Sequence, residues 1–361
     1  MNQSLSFQQA AWKRLKKNKG AVFGMIVIGI AFLIAVFAYF IAPDNSPNAN
    51  RQIVEIDVKK PGFKQEFALI EKENPPAQRG FFSKLVNGQE DRYQHIPVNG
   101  YEIKSDSVLL RRSIDEGVED TMKLAAASFS EKNINQKTFL LGTDKFGRDI
   151  LSRLIIGTRV SLSVGLVTVI ISLSIGLILG SLAGYFRGRT DDIIMWFINV
   201  IWSIPTLLLV FAITLALGKG FWQVFIAVGL TMWVSVARLV RGQVLAVREL
   251  EYVEATKALG FSDFRTIVRH IWPNIMGPVM VIAASNFASA IVIEAGLSFL
   301  GIGVQPPQPS WGLMIKENYN FIITNNPMLA LTPGFAIMLL VLAFNLLGNG
   351  LRDALNVRGK L

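Results

Sequence analysis

Apolar residues along this chain gather into long unbroken runs, without the alternating or three-and-four spacing that marks a half-buried element of a soluble fold. Runs near 21–42, 160–184, 192–218, 221–240, 277–303 and 329–351 are each long enough, at about 1.5 Å per residue, to cross roughly 30 Å of hydrocarbon. They predict an all-α integral membrane protein with about six transmembrane helices. Only Lys219 and Gly220 separate the third run from the fourth, so the turn there must be tight. The first run follows Lys13, Arg14, Lys16, Lys17 and Lys19 and superficially resembles a secretory leader. Its length, and the Pro43-Asp44-Asn45 that follows in place of a small-residue cleavage site, favour a retained anchor.

A long polar stretch, 43–140, interrupts the pattern after the first run. Pro61-Gly62, Asn74-Pro75-Pro76, Asn87-Gly88 and Asn99-Gly100 punctuate it, with short alternating runs such as Gln52 to Val58 between them. These read as turns between short strands and predict a small β-rich insert. A disordered linker is the alternative, against which Phe67, Phe81, Phe82 and Tyr93 stand.

Charge then orients the spans. The basic N-terminus, Arg187 and Arg189, the segment Arg238 to Arg269 and the tail with Arg352, Arg358 and Lys360 fall on one side of the alternation; the other side has Lys219 and, in 304–328, only Lys316. Basic short loops stay in the cytoplasm, so both termini are expected there and the insert outside. Of the 361 residues 51% are hydrophobic and 17% charged, with a mean hydropathy of +0.41, too apolar for a soluble domain. The net charge of +10 is thereby read as a topology signal, and nucleic-acid binding is not expected. The chain has no cysteine, which removes disulfides, zinc–thiolate clusters and catalytic thiols. His95 and His270, the two histidines, fall on opposite sides of the membrane, so neither a metal site nor a His-based triad is expected. No cofactor is expected, and no catalytic role.

The cytoplasmic segment from Arg248 to Asn274 carries the most information. Its amphipathic start and Gly260 suit a helix that stops at a left-handed residue, Ser262 can cap a second short helix with Asp263 in its first turn, and Pro273 should end that helix before the next span. Ala255 and Ala258 share a face with Glu251 and Glu254, where small residues permit close approach and the charges set orientation. The product is an elbow, either a docking element or a structural helix lying on the surface.

Glu254-Ala255, Gly260 six residues after that glutamate, and Pro273 thirteen after the glycine resemble the signature loop of ABC importer permeases. Thr256 stands where a second alanine is usual and Trp272 where leucine is usual. Leu141 to Arg153, Glu294 to Gly303, Leu351 to Leu355 and the start Trp12-Lys13-Arg14-Leu15 look like the dipeptide, oligopeptide and nickel group of that family, and its C-type subunit. The resemblance covers all but the 43–140 insert. It implies an organisation of 1–42 as cytoplasmic N-terminus and first span, 43–140 as extracytoplasmic insert and 141–361 as permease domain, with a coupling loop at about 241–276. It also implies ATP-binding cassette subunits docking at Glu251, Glu254, Ala255, Ala258, Gly260 and Pro273, a second homologous permease, an extracytoplasmic solute-binding protein, and a bacterial inner-membrane location. Di- or oligopeptides are the expected cargo. Nickel or another small solute within the same family is the alternative, as are a self-sufficient secondary transporter and a membrane scaffold.

Three further features have physical readings of their own. Gly142 and Gly147 permit turns around Asp144, Arg148 and Asp149, which can form an ion-paired knot shaping the outer mouth; the run lacks the Gly-Lys-Ser/Thr ending of a phosphate loop. Glu294 is an acid deep in an apolar run, a pathway or subunit-interface candidate or else a locally hydrogen-bonded structural acid. Pro205 should kink the third span, and Gly176, Gly180 and Gly184 are spaced for close helix packing.

Overall fold

A computed structural model describes residues 7–104, 107–115, 117–125, 133–218, 220–323 and 326–355. Lys219, Arg358 and Lys360, used above for topology, lie outside them. In chain order the helices α1 (Phe7–Lys17), α2 (Lys19–Val36) and α3 (Ala38–Ile41) come first, then the insert with β1 (Phe63–Glu71), α4 (Phe81–Asn87), β2 (Tyr93–Lys104), β3 (Ser107–Asp115), β4 (Val118–Ala125) and β5 (Ile134–Phe139). There follow α5 (Ile150–Phe186), α6 (Gly188–Trp202), α7 (Thr206–Leu217), α8 (Phe221–Arg248), α9 (Glu251–Ala258), α10 (Asp263–Thr266), α11 (Trp272–Phe299), α12 (Trp311–Asn318) and α13 (Met328–Leu355).

Among the described residues five helical stretches, Lys19–Val36, Ile150–Phe186, Phe221–Arg248, Asp263–Phe299 and Met328–Leu355, are long and apolar enough to span, and α6 with α7 makes a sixth if the bent pair counts as one. The expected kink at Pro205 is a 91° break. Proline has no N–H to continue the ladder, and its ring disfavours helical geometry in the residue before it, so α6 ends at Trp202 and α7 starts with Pro205 as its cap. Pro273, by contrast, does not end a helix as expected. The chain runs from α10 through a π-helical turn, Ile267–Ile271, straight into α11, where Pro273 sits in the first turn; the widened turn accommodates the missing donor and the ring.

The contacts divide the structure into two compact units, one of Met1–Ala31, Ser161–Gln305 and Ala336–Leu361, the other of Phe32–Val160 and Pro306–Phe335. In the first, α5 packs on α8 along the glycine stripe. A Cβ on Gly176 would stand 2.5 Å from Val236 Cβ, and one on Gly180 the same distance from the Ala237 carbonyl oxygen, so the helix backbones approach as only glycine permits. Val236, Val240 and Val244 of α8 then meet Ile271, Ile275 and Val279 in a buried core that Tyr185 and Val253 complete, rows spaced by four residues as ridge-into-groove packing requires.

In the second unit the expected β character of the insert takes the form of one antiparallel sheet in the order β4-β3-β2-β1-β5. Two readings of the insert are corrected. Asn99-Gly100 is not a turn between strands but lies within β2 at a register shift opposite β3, and Gln52 to Val58 is not a strand. Its Ile53 and Ile56 are buried three residues apart in a 3-10 turn, because the backbone there bonds to the loop before α5, Ile53 N–H to Phe146 O at 3.1 Å and Val58 N–H to Asp144 O at 3.0 Å.

Candidate functional site

The elbow is α9, a turn, and α10. Leu250 is extended and begins α9; Glu251 and Glu254 occupy the first turn and Lys257 the last, each on the side the helix dipole favours. Gly260 ends the helix at φ +75°, and its N–H donates to the Lys257 carbonyl at 2.9 Å while Phe261 N–H reaches Thr256 O at 3.0 Å, which is the left-handed stop expected from the sequence. Ser262 Oγ then accepts from Arg265 N–H at 3.4 Å as the cap of α10.

One face of α9 is inward: Val253 and Thr256 are buried. Glu251, Glu254, Ala255 and Ala258 share the exposed stripe, flanked by Leu250, Tyr252, Leu259 and Phe264, of which Leu259 and Phe264 expose 72% and 77% of their surface. Underneath, Thr256 Oγ1 donates to Val253 O at 2.7 Å and lies 3.2 Å from Thr266 Oγ1, joining α9 to α10. Tyr185, at the end of α5, donates its hydroxyl to Asp263 Oδ1 at 2.7 Å; its ring lies 5.0 Å below the Lys257 ammonium, and its carbonyl accepts from Arg248. Trp272 Nε1 donates to Ser181 Oγ at 2.9 Å. The exposed stripe therefore rests on a hydrogen-bonded underside that is tied to α5.

Gly142, Asp144, Gly147, Arg148 and Asp149 form a second cluster just ahead of α5. Gly142 and Gly147 both have positive φ, +79° and +68°, and a Cβ on Gly147 would fall 1.7 Å from the Ile53 carbonyl oxygen, so only glycine fits there. Asp144 Oδ2 accepts from Arg148 Nε at 2.7 Å, and Arg148 and Arg153 both donate to Glu317 Oε2, at 2.8 and 3.3 Å. Among the described residues Asp149 makes none of the ion pairs of this cluster. Its Oδ2 accepts from Ser152 N–H at 2.9 Å and so caps α5, while burial, reinforced by nearby Asp44, lifts its carboxyl above the ordinary range against the Ser152 donors.

Pro205 sits where α6 breaks from α7, and a cavity of about 590 Å³ opens beside it, lined among others by Trp202, Ile204, Thr231, Ser235, Ser289 and Asn345. Glu294 is not among the lining residues. It is fully buried in α11, accepting from Ser298 Oγ at 2.6 Å, while Val304 N–H donates to that same hydroxyl at 3.0 Å.

The profile of the family described as "Binding-protein-dependent transport system inner membrane component" matches residues 176–359, which contains the elbow, the bent pair, Glu294 and α13. The chain belongs to this family. Residues 6–55 match in addition the N-terminal TM domain of oligopeptide transport permease C. Relatives of this transport component include a dipeptide transport system permease protein DppC of Bacillus subtilis, 33% identical over 98% of this chain and 86% of that one. A glutathione transport system permease protein GsiD of Pectobacterium atrosepticum is 42% identical over 61% of this chain and 73% of its own. A chain of the inward-facing MetNI methionine ABC transporter aligns at TM-score 0.47 and 18% identity, over 56% of this chain and 96% of that one.

As a binding-protein-dependent permease the chain is a multi-pass inner-membrane protein. Several residues of its candidate sites carried no signal in the sequence. Glu317 lies 169 residues from its partner Arg148, and nothing in the 304–328 run announced α12. Tyr185 lies just past the 160–184 apolar run and looks like an ordinary boundary residue of a span. Thr256 and Trp272 were visible only as departures from the family pattern, and the structure supplies their physical content: each makes a side-chain hydrogen bond that alanine or leucine could not make.

Proposed function

We propose that this chain is one of two permease subunits of an ATP-driven importer of di- or oligopeptides. Both termini and the elbow face the cytoplasm. ATP-binding subunits dock on the exposed stripe of α9, a homologous permease completes the pathway, and an extracytoplasmic binding protein delivers the cargo. Catalysis of ATP hydrolysis belongs to the docked subunits. The peptide assignment is supported by the relatives described as dipeptide, oligopeptide and glutathione permeases.

The observation that carries the coupling role is the pairing of an exposed, mixed apolar and acidic face on α9 with a fully bonded underside. Leu259 and Phe264 stand out beside Glu251 and Glu254, as the apolar centre and charged rim of a protein interface do. Beneath them Thr256, Thr266, Tyr185 and Asp263 fix the elbow to α5, so a push from below turns into motion of a spanning helix, a rigid coupling of two states. Pro205 and its 91° break beside the 590 Å³ cavity are assigned to the pathway, and the Asp144–Arg148 cluster to the shape of the outer mouth. Glu294, tied to Ser298 within its own helix, is read as a buried structural acid rather than a pathway residue.

The test is ATP-dependent uptake in cells with and without this chain, offered a mixed peptide pool and nickel together, both read by mass spectrometry. Selective loss of peptide uptake is expected. Loss of nickel alone would keep the family and change the cargo, and uptake that follows an ion gradient instead of ATP would overturn the reading.

A further inference from the structure

The lipid-facing surface of the first span does not stop where the span stops. α2 has 18 residues, a rise of about 27 Å against roughly 30 Å of hydrocarbon, so the residues just after Val36 stand at the far membrane boundary. Phe32, Leu33, Phe37, Phe40 and Ile41 all expose large apolar surface there. The ring of Phe81, first residue of α4, lies 5.3 Å from the ring of Phe40, and Phe82 packs edge-on against Phe81 at 5.6 Å. Phe81, Phe82 and Val86 expose 59%, 80% and 57% of their surface. Phe82 and Val86, four apart, share one face of the helix.

This short helix is held firmly. The guanidinium of Arg159 donates to the carbonyls of Leu85 and Val86 at 3.2 and 3.1 Å, serving the end of α4 whose carbonyls have no helical partner, and it lies 5.0 Å from the Tyr39 ring. The Lys84 ammonium lies 5.2 Å over the Phe40 ring. α4 is thus fixed between α3 and α5 with two phenylalanines outward and two cations, Lys84 and Arg159, at the level where the first span leaves the hydrocarbon. Aromatic rings and basic side chains at that depth match the boundary between acyl chains and phosphate headgroups.

We propose that α4 is an interfacial anchor, lying in the headgroup–acyl boundary of the leaflet at the far end of the first span, with Phe82 and Val86 in lipid and Lys84 among the phosphates. The occupant is the bilayer because Phe81 is continuous with an apolar surface that the spanning helix already presents to lipid. The β-sheet is thereby moored at its base and not merely tethered by its two connections.

The natural chain has no cysteine, so a nitroxide attached at Phe82→Cys or Val86→Cys reports one position. In the assembled transporter reconstituted into phospholipid bilayers, collision with dioxygen should exceed collision with a water-soluble nickel chelate at both positions. The order should reverse at Glu73→Cys, an exposed polar site of the insert. Faster collision with the chelate at 82 and 86 would overturn the proposal by putting α4 in water. Slow collision with both reagents would overturn it in favour of a protein partner.

Discussion

The elbow and the knot ahead of α5 are both dense in charge and both adjoin the ends of long helices, yet they are built in opposite ways. In the knot Asp144, Arg148 and Arg153 are buried, with Glu317 bridging the two guanidinia. In the elbow Glu251, Glu254, Lys257 and Arg265 are exposed, and the apolar side chains beside them are exposed too. Buried charges must be answered within the chain at fixed geometry, since leaving one unanswered is costly. Exposed charges around an apolar centre leave their answer to a partner. Charge density therefore does not distinguish the elbow, which we propose as a docking surface, from the closed knot, whereas burial does.

The comparison is most severely tested at Glu317. Glu317→Ala leaves two buried guanidinia without their shared carboxylate and should destabilise the protein by about 3–5 kcal/mol. Thermal unfolding of the purified chain in detergent reads this, and a midpoint equal to wild type would mean that the knot is not structural.

Smaller is the effect of separating the two elbow helices. Thr256→Val deletes a buried hydroxyl that bonds Val253 O and adjoins Thr266, which should cost about 1–2 kcal/mol and lower the yield of ATP-coupled uptake. Loss of stability with coupling intact would make this pair a packing feature only.

Smaller still in stability, though large in function, is the double change Leu259→Ser with Phe264→Ser. Both side chains are exposed, so the unfolding free energy should move by less than about 0.5 kcal/mol, while uptake and co-purification of the ATPase subunits fall at least tenfold. Normal uptake with both substitutions would remove the docking role from α9 and α10.

Arg51 Nη2 donates to Asp91 Oδ1 at 2.7 Å. Burial works to raise the Asp91 carboxyl, but the His95 imidazole 3.6 Å away and the hydrogen bonds and charge of Arg51 outweigh it and hold the carboxyl well below the ordinary range. A depressed carboxyl contributes stability above its unfolded value, and that contribution shrinks as pH falls below about 4. The difference in unfolding midpoint between wild type and Asp91→Asn should accordingly narrow as pH falls below about 4. A difference independent of pH would dissociate the pair from the stability of the insert.

Legibility in the sequence followed the range of the interaction. The stop at Gly260, the cap at Ser262, the turns at Gly142 and Gly147, the glycine stripe of α5 and the break at Pro205 are all local, each set by a backbone preference within a few residues, and each was readable. The role of Asp149 was not. Arg148 is its neighbour in sequence, but a helix begins at Ile150, and the bare N–H groups of its first turn take the carboxylate instead. Pro273 misled for a related reason: proline limits a regular α-helix, but a π-turn before it lets the helix continue. The strand assigned to Gln52–Val58 failed because tertiary hydrogen bonds to the Asp144–Phe146 loop decide that segment.

The sequence by itself determined the solvent, the number of spans and the position of the elbow, because runs of apolar residues, positively charged flanks and glycine or proline punctuation act over short stretches of chain and keep their meaning in any fold. Tertiary structure decided which charges are answered internally. Glu317 reaches Arg148 and Arg153 from α12, Tyr185 reaches Asp263 from the end of α5, and Ser181 meets Trp272. These pairs depend on distances set by helix packing, to which sequence spacing is blind, and they are what separates the exposed elbow from a joint closed upon itself.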